Sequence, residues 1–311
     1  MGQSVNTNII SLNAQRNLGT SQSSMATSMQ RLSSGLRVNS AKDDAAGLAI
    51  AERMSAQVRG MNVAVRNAND AISLSQTAEG ALGKIGDNLQ RMRELAVQSR
   101  NATNSDGDRA NLQKEFKELQ SEIQRTVNNT SFNGTKLLDG TSGDLEFQVG
   151  AKTTADDKIT ITGVDMNGTA SKTSAVDTDA TVSTASVVVA TAFTSNADDA
   201  EGISIGGFQE DGTTAIAVDD IDDAIEVIDV ALDRVNEQRA TFGAAQNRFE
   251  AVISNLQVNI ENQSAARGRI MDADFATETS NLSRSQILQQ AGSAMVAQAN
   301  QLPQQVLSLL R

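Results

Sequence analysis

Apolar positions recur along this chain in two long runs. The first is Met61, Ala64, Ala68, Ala71, Ser75, Ala78, Leu82, Ile85, Leu89, Met92 and Ala96. Its steps alternate between three and four residues, the repeat of a coiled-coil seam, and no proline interrupts it. Its early members are small, which permits close helix approach. The second run is Ile221, Ile225, Ile228, Leu232, Val235, Arg239, Phe242, Gln246, Phe249, Ile253, Leu256 and Ile260. It keeps the same alternation and is the strongest periodic signal in the chain. These runs predict helices from about 45 to 100 and from about 219 to 269.

Weaker patterns flank and separate them. Residues 1–34 read as a Ser- and Gln-rich helix with Ile9, Leu12, Met25, Met29 and Leu32 as its apolar positions, and Gly35 as a stop. SAKDD then predicts a fresh helix start, with Ser40 as cap and Asp43 at the third helical position. After the break NATNSDGD, residues Leu112, Phe116, Leu119, Ile123 and Thr126 predict a further helix. At Asn128 the period changes. Asn133-Gly134 is a hairpin turn signal, and LEFQVG and KITITG alternate with period two, as strands do. Residues 165–215 are rich in Thr, Ser, Ala, Asp and Gly, with strand-like patches at SVVVATAF and GISIGGF. A final helix is expected over about 273–310, with Leu282, Leu288, Met295, Ala299, Leu302, Val306 and Leu309 on one side and a possible bend at Pro303.

The order is weak helix, strong coil, β centre, strong coil, weak helix. Long seams need partners, so the economical fold turns the chain back on itself. The expected class is mainly α with a smaller β part: a long antiparallel coiled-coil bundle from both termini, a β-hairpin and a small central β domain. A helix of about 50 residues is about 75 Å long, so an elongated molecule is expected. The expected divisions are 1–44 with 271–311, 45–165 with 219–270, and 166–218.

Composition removes most chemistry. The chain has no Cys, His, Trp or Tyr. Thiol nucleophiles, imidazole bases and zinc sites of the usual ligand types are therefore absent. No catalytic, cofactor-binding or metal-ligating residues are assigned, and no cofactor is expected. The net charge of −12 argues against a nucleic-acid partner. No run of about 18 apolar residues exists, and the N-terminus lacks the basic-then-apolar pattern of a secretory signal, so neither a membrane span nor a signal peptide is expected.

Charge is unevenly placed. From residue 1 to 42 the charged side chains are Arg16, Arg31, Arg37 and Lys42, all positive, and between Arg284 and Arg311 there are none. Acids collect in the centre. Ends that avoid charge suit burial against copies of the same chain, because Gln, Ser and Asn hydrogen-bond without the desolvation cost of a buried ion. The terminal helices are weakly apolar, and nucleation is costly, so they are expected to be loose in a monomer and ordered on assembly. Read from the residues alone, the chain is a self-assembling subunit, a soluble coiled-coil scaffold or signalling protein, or a secreted adhesin or secretion-tip protein.

Four strings narrow this. RLSSGLRVNSAKDDAAGLAIAERM (31–54), NNTSFNGTKLLDG (128–140), FGAAQNRFEAVISNL (242–256) and DADFATETSNLSRSQILQQAGSAMVAQANQLPQQVLSLLR (272–311) closely resemble bacterial flagellin. The resemblance covers about 1–150 and 220–311. It implies a non-enzymatic structural subunit of the extracellular flagellar filament, exported unfolded without a signal peptide. Its terminal helices would form the inner layer, its coils and hairpin a middle layer, and its short centre the outside. The implied partners are further copies of the chain, an export chaperone, filament cap and hook-junction proteins, and innate immune receptors of a host. The implied inner-core residues are Ile9, Leu12, Leu32, Leu282, Leu288, Val296, Leu302, Val306, Leu309 and Leu310. Those of the C-terminal helix, apart from Leu282, are expected to be exposed or disordered in the monomer. The seam residues are Leu82, Ile85, Leu89, Met92, Ile228, Leu232, Val235, Phe249, Ile253 and Leu256.

LQRMRELAVQS (89–99) is similar to the stretch bound by Toll-like receptor 5 in receptor-activating flagellins, with Met92 where Val is more usual. The resemblance carries over Gln90, Arg91, Glu94, Leu95 and Gln98, and Glu115 on the neighbouring helix. VLSLLR at the end resembles the segment sensed by cytosolic inflammasome receptors. The alternative reading is a soluble coiled-coil secretion or signalling protein that does not polymerise.

Overall fold

The computed structural model of the chain describes residues 8–166, 205 and 218–309, with side chains for all of these except 218–220 and 302–309. Helix α1 spans Ile9–Ser34, α2 Ala45–Ser99, α3 Asp106–Asn129, α4 Val218–Met271 and α5 Phe275–Leu309. Strands β1 (Ser131–Phe132), β2 (Thr135–Lys136), β3 (Leu145–Gln148) and β4 (Lys158–Ile161) lie between α3 and α4. The class is mainly α with a small β part. SVVVATAF, most of GISIGGF and nearly all of the expected 166–218 outer region lie outside the described residues.

Local signals explain most element ends. Gly35 closes α1 at φ +71°, donating its N–H to Arg31 O at 2.8 Å, a backbone state that glycine adopts without a Cβ clash. The expected cap of α2 at Ser40 is not what forms. Ser40 and Asn39 both donate to the Asp43 carboxylate within a turn, and α2 starts after Asp44, whose Oδ1 accepts Gly47 N–H at 2.8 Å. Asp43 and Asp44 each fit the cap role, and the second one takes it. Ser105 and Asp108 instead make the reciprocal capping box, at the head of α3. Pro303 does not end α5, whose backbone stays helical to Leu309.

The chain divides into two compact units, Met1–Arg59 with Val258–Arg311, and Gly60–Gln257. The division falls inside α2 and α4. In the second unit α2 and α4 run antiparallel, as the ion pairs Arg100–Asp222 and Arg93–Asp229, each 2.7 Å, and the Gln246–Glu79 hydrogen bond require. On α2 both seam positions are buried from Met61 to Ala96. On α4 one seam position, Ile221, Ile228, Val235, Phe242, Phe249 and Leu256, is buried, while Leu232 and Ile253 on the other are half-covered.

Asn133 (φ +49°) and Gly134 (φ +83°) make the two-residue β1–β2 turn. Strand β3 pairs antiparallel with β4, with Phe147 opposite Ile159. Phe147 meets Phe249 of α4 edge-on, ring centres 5.8 Å apart, joining the hairpin to the helical core.

Candidate assembly and binding surfaces

In the first unit, α1 and α5 pair antiparallel. Asn8 Nδ2 donates to Ala299 O at 2.7 Å, Ser11 Oγ to Asn300 Oδ1 at 2.8 Å, and Arg31 faces Glu278 at 3.9 Å at the other end. Backbone bonds stitch the two helix turns together: Arg37 N–H to Met271 O at 2.6 Å and Ala273 N–H to Gly35 O at 2.9 Å. Asp274 heads α5, and its carboxyl is held below the usual aspartate value by the Thr277 hydroxyl, then by the Ala276 and Thr277 N–H groups.

The facing stripe has coiled-coil spacing but not coiled-coil chemistry. On α1 it is Ser11, Ala14, Leu18, Ser21, Met25, Ser28 and Leu32; on α5 it is Glu278, Leu282, Ser285, Gln289, Gly292, Val296 and Ala299. The most buried members are Ser11, Ser28, Glu278, Ser285 and Ala299. Gly292 sits where a Cβ would come 3.3 Å from Leu18 Cδ1, so the small residue permits close approach. A polar groove of about 450 Å³ runs beside this stripe, between Thr20 and Arg31 of α1 and Glu278 and Leu288 of α5.

A second set of large apolar side chains of the pair points outward. Of twelve large apolar residues exposed among the described residues, eight lie on α1 and α5: Ile9, Ile10, Leu12, Met29, Phe275, Ile287, Leu288 and Met295. A globular helix normally hides its apolar face and wets its polar one. Here small polar residues share the inside stripe with Leu18, Met25, Leu32, Leu282 and Val296, while eight further large apolar residues lie outside. The pattern sorts the sequence-derived set. Ile9, Leu12 and Leu288 are on the outer face. Leu32, Leu282 and Val296 are half-buried in the helix pair, so Val296 is not the exposed residue that was expected. The side chains of Leu302, Val306 and Leu309, and all of Leu310, lie outside the described residues. Among the described residues both helices are formed and paired through a close seam in which Ser, Gly and Ala alternate with aliphatic residues.

The seam residues of the second unit lie in its core: Leu82, Ile85, Leu89, Met92, Ile228, Val235 and Phe249 fully, Leu256 nearly so, and Leu232 and Ile253 packed against it. On its α2–α3 face, Arg91 bridges two acids. Its Nη1 donates to Glu94 Oε2 at 2.9 Å, and its Nε and Nη2 to Glu115 Oε1 at 3.0 and 2.8 Å. Hydrogen bonds to Glu94 and Glu115 hold the guanidinium charge more firmly than usual. Arg91 is therefore a cross-helix tie as well as an (i, i+3) partner. Gln90, Arg91, Glu94, Gln98 and Glu115 are exposed. Leu95 is not: it is 0% exposed and belongs to the core. As a surface contact it is corrected, since its place on α2 turns it inward with Met92 and Ala96.

The comparisons fit this geometry. Residues 5–143 match the profile of the bacterial flagellin N-terminal helical region, and 225–310 that of its C-terminal helical region. The chain belongs to the bacterial flagellin family. It is similar to a flagellin of Halalkalibacterium halodurans, 44% identical over 99% of both chains, and to flagellin A of Vibrio cholerae, 39% identical over 99% of both. A solved Vibrio parahaemolyticus structure, described as a flagellar hook-associated protein, covers 74% of this chain and all of its own at TM-score 0.54. At 12% identity it attests the fold alone. As a flagellin, the chain is a structural subunit of the extracellular flagellar filament, a homopolymer. No helix of the described residues is long and apolar enough to cross a membrane.

Proposed function

We propose that this flagellin polymerises by burying the outward apolar face of the α1–α5 pair between copies. The observation that carries this is the inverted helix pair, which leaves Ile9, Ile10, Leu12, Met29, Phe275, Ile287, Leu288 and Met295 in water. Its burial offers each added subunit a hydrophobic gain. Deleting 285–311 leaves a soluble, helical second unit that no longer elongates filament seeds under the electron microscope. A full-length chain that stays a fixed small oligomer on seeding would instead be a non-polymerising coiled-coil protein.

The chain performs no catalysis in this reading, having neither imidazole nor thiol. The proposed partners beyond its own copies are an export chaperone on the C-terminal helix, cap and hook-junction proteins at the filament ends, and the host receptor. The receptor surface is Gln90, Arg91, Glu94, Gln98 and Glu115, supported by their shared exposure and the Arg91 bridge. Arg91→Ala then lowers receptor activation by the monomer, whereas Leu95→Ala acts only through helix packing. Equal activation by Arg91→Ala and the parent protein removes this surface from consideration.

A further inference from the structure

The α2 seam continues one step past Ala96 to Ser99, at the last residue of the helix. Serine also occupies the seam at Ser75, and both residues are fully buried. The two solve the same problem differently. A buried hydroxyl without a partner is costly, and a helical serine usually answers by bonding the carbonyl four residues back. Ser75 does so, donating to Ala71 O at 2.8 Å. Ser99 does not. Its hydroxyl donates to the backbone carbonyl of Ile205, more than a hundred residues along the chain.

Ile205 meets a second reader. Its N–H donates to Gln113 Oε1 on α3 at 2.8 Å. Its side chain is 0% exposed and belongs to the core that α2, α3 and α4 share. One residue, outside any described strand or helix, thus has its N–H and C=O satisfied by side chains of two different helices while its apolar group enters the core. Burying such a residue normally leaves two orphaned backbone groups. Recognition of peptides combines the same elements: main-chain hydrogen bonds for affinity and an apolar hole for selectivity.

We propose that Ser99 and Gln113 form a built notch that recognises one apolar residue of a peptide through its backbone N–H and C=O. Ile205 is its occupant in cis. When Ile205 is removed, the notch takes a short peptide bearing isoleucine at that position. The notch ties Ile205 to the second unit, and it gives a buried seam serine a hydrogen-bond partner.

The chain has no cysteine, so single-cysteine variants give a clean test on the full-length monomer. Ser99→Cys is labelled with a maleimide beside Val97→Cys, a half-exposed control on the same helix turn. The expected result is labelling at least a hundredfold slower at position 99; rates within threefold mean that the notch is open and the proposal fails. Adding Ile205→Gly speeds labelling of Ser99→Cys at least tenfold while the helical circular dichroism stays constant. An unchanged rate overturns the proposal. If Ile205→Gly loses helicity, the milder Ile205→Ala decides by the same ratio. Finally, the Ile205→Gly form with Ser99 intact binds the peptide EGISIGGFQ in calorimetric titration and does not bind EGISDGGFQ. Equal binding of the two peptides, or binding of neither, refutes recognition in trans.

Discussion

Ile287→Ala separates assembly from folding most cleanly. Ile287 is 66% exposed in the helix pair. Burying a whole isoleucine side chain contributes about 1.5–3 kcal/mol, so covering the remaining two-thirds between copies contributes about 1–2 kcal/mol. Alanine forfeits most of that gain. It also has the better helix propensity, so α5 itself does not suffer. With a tenfold change per 1.4 kcal/mol, the critical concentration for elongation rises roughly 5- to 30-fold. The assay is pelleting of filament grown from seeds over a range of monomer concentrations, with thermal unfolding of the monomer in parallel. The monomer should melt with the parent protein within about 0.5 kcal/mol, as exposed substitutions do. Ile123→Ala, in the buried face of α3, gives the opposite signature: about 2–5 kcal/mol lost from the monomer. If Ile287→Ala leaves the critical concentration within twofold of the parent, the outward face is not what copies bury.

Three further substitutions test the second unit. Phe249→Ala removes a fully buried ring and its edge contact with Phe147, so urea unfolding should show a loss of about 3–5 kcal/mol. Gly140→Ala should cost about 1–2 kcal/mol from its left-handed backbone alone, φ +79°, and more because its Cβ would fall 2.6 Å from Asp165 Cγ; the same urea titration reads it. Ser105→Ala removes the largest cause of the lowered Asp108 pKa. A lowered carboxyl stabilises above its unfolded value, near 3.8, and that contribution disappears as pH falls through the folded value. The variant should therefore unfold at lower urea at pH 7, and its difference from the parent should shrink as the pH is taken below 3.8, read by circular dichroism.

The second unit was legible in the sequence because its chemistry is redundant. Leu82, Ile85, Leu89 and Met92 are apolar, periodic and buried, so three signals agree. The hairpin at Asn133-Gly134 was readable for a similar reason, since few residue pairs adopt two positive φ angles. The first unit was misread where period and polarity disagree. Its facing stripe has heptad spacing, but Ser11, Ser28, Ser285 and Gly292 carry no hydrophobic signal. Leu32, Leu282 and Val296 are as aliphatic as Ile9, Leu12 and Leu288, and the family resemblance implies one inner-core role for all six. Only geometry shows that the first three face the partner helix and the others face outward. Leu95 illustrates the same limit: its neighbours Arg91 and Glu94 are exposed, and only the three-dimensional count of elements around α2 shows that Leu95 is not. The Ser99–Ile205 contact could not be read at all, since it joins positions with no local relation, and Ser75 on the same seam bonds its own helix instead.

The inverted helix pair explains why its two seams differ in kind. A pair closed by leucines would hold its apolar surface inside and leave nothing for a neighbouring copy. A pair with no seam would not hold α1 and α5 in register, and each helix would bear the nucleation cost alone. Serine, glycine and alanine at heptad spacing resolve this. They bring the backbones close enough for cross-helix bonds such as Asn8 to Ala299 and Ser11 to Asn300, yet leave Ile9, Ile10, Leu12, Ile287 and Leu288 for the outside. The same logic accounts for the missing charge after Arg284. An ion on an outward face would be desolvated by each added copy, whereas glutamine, at seven positions in 285–311, is neutral and still bonds. The second unit needs no such compromise, and its seam is therefore the ordinary one: large and small apolar residues within, and arginine–carboxylate pairs such as Arg91–Glu115 and Arg93–Asp229 on its surface.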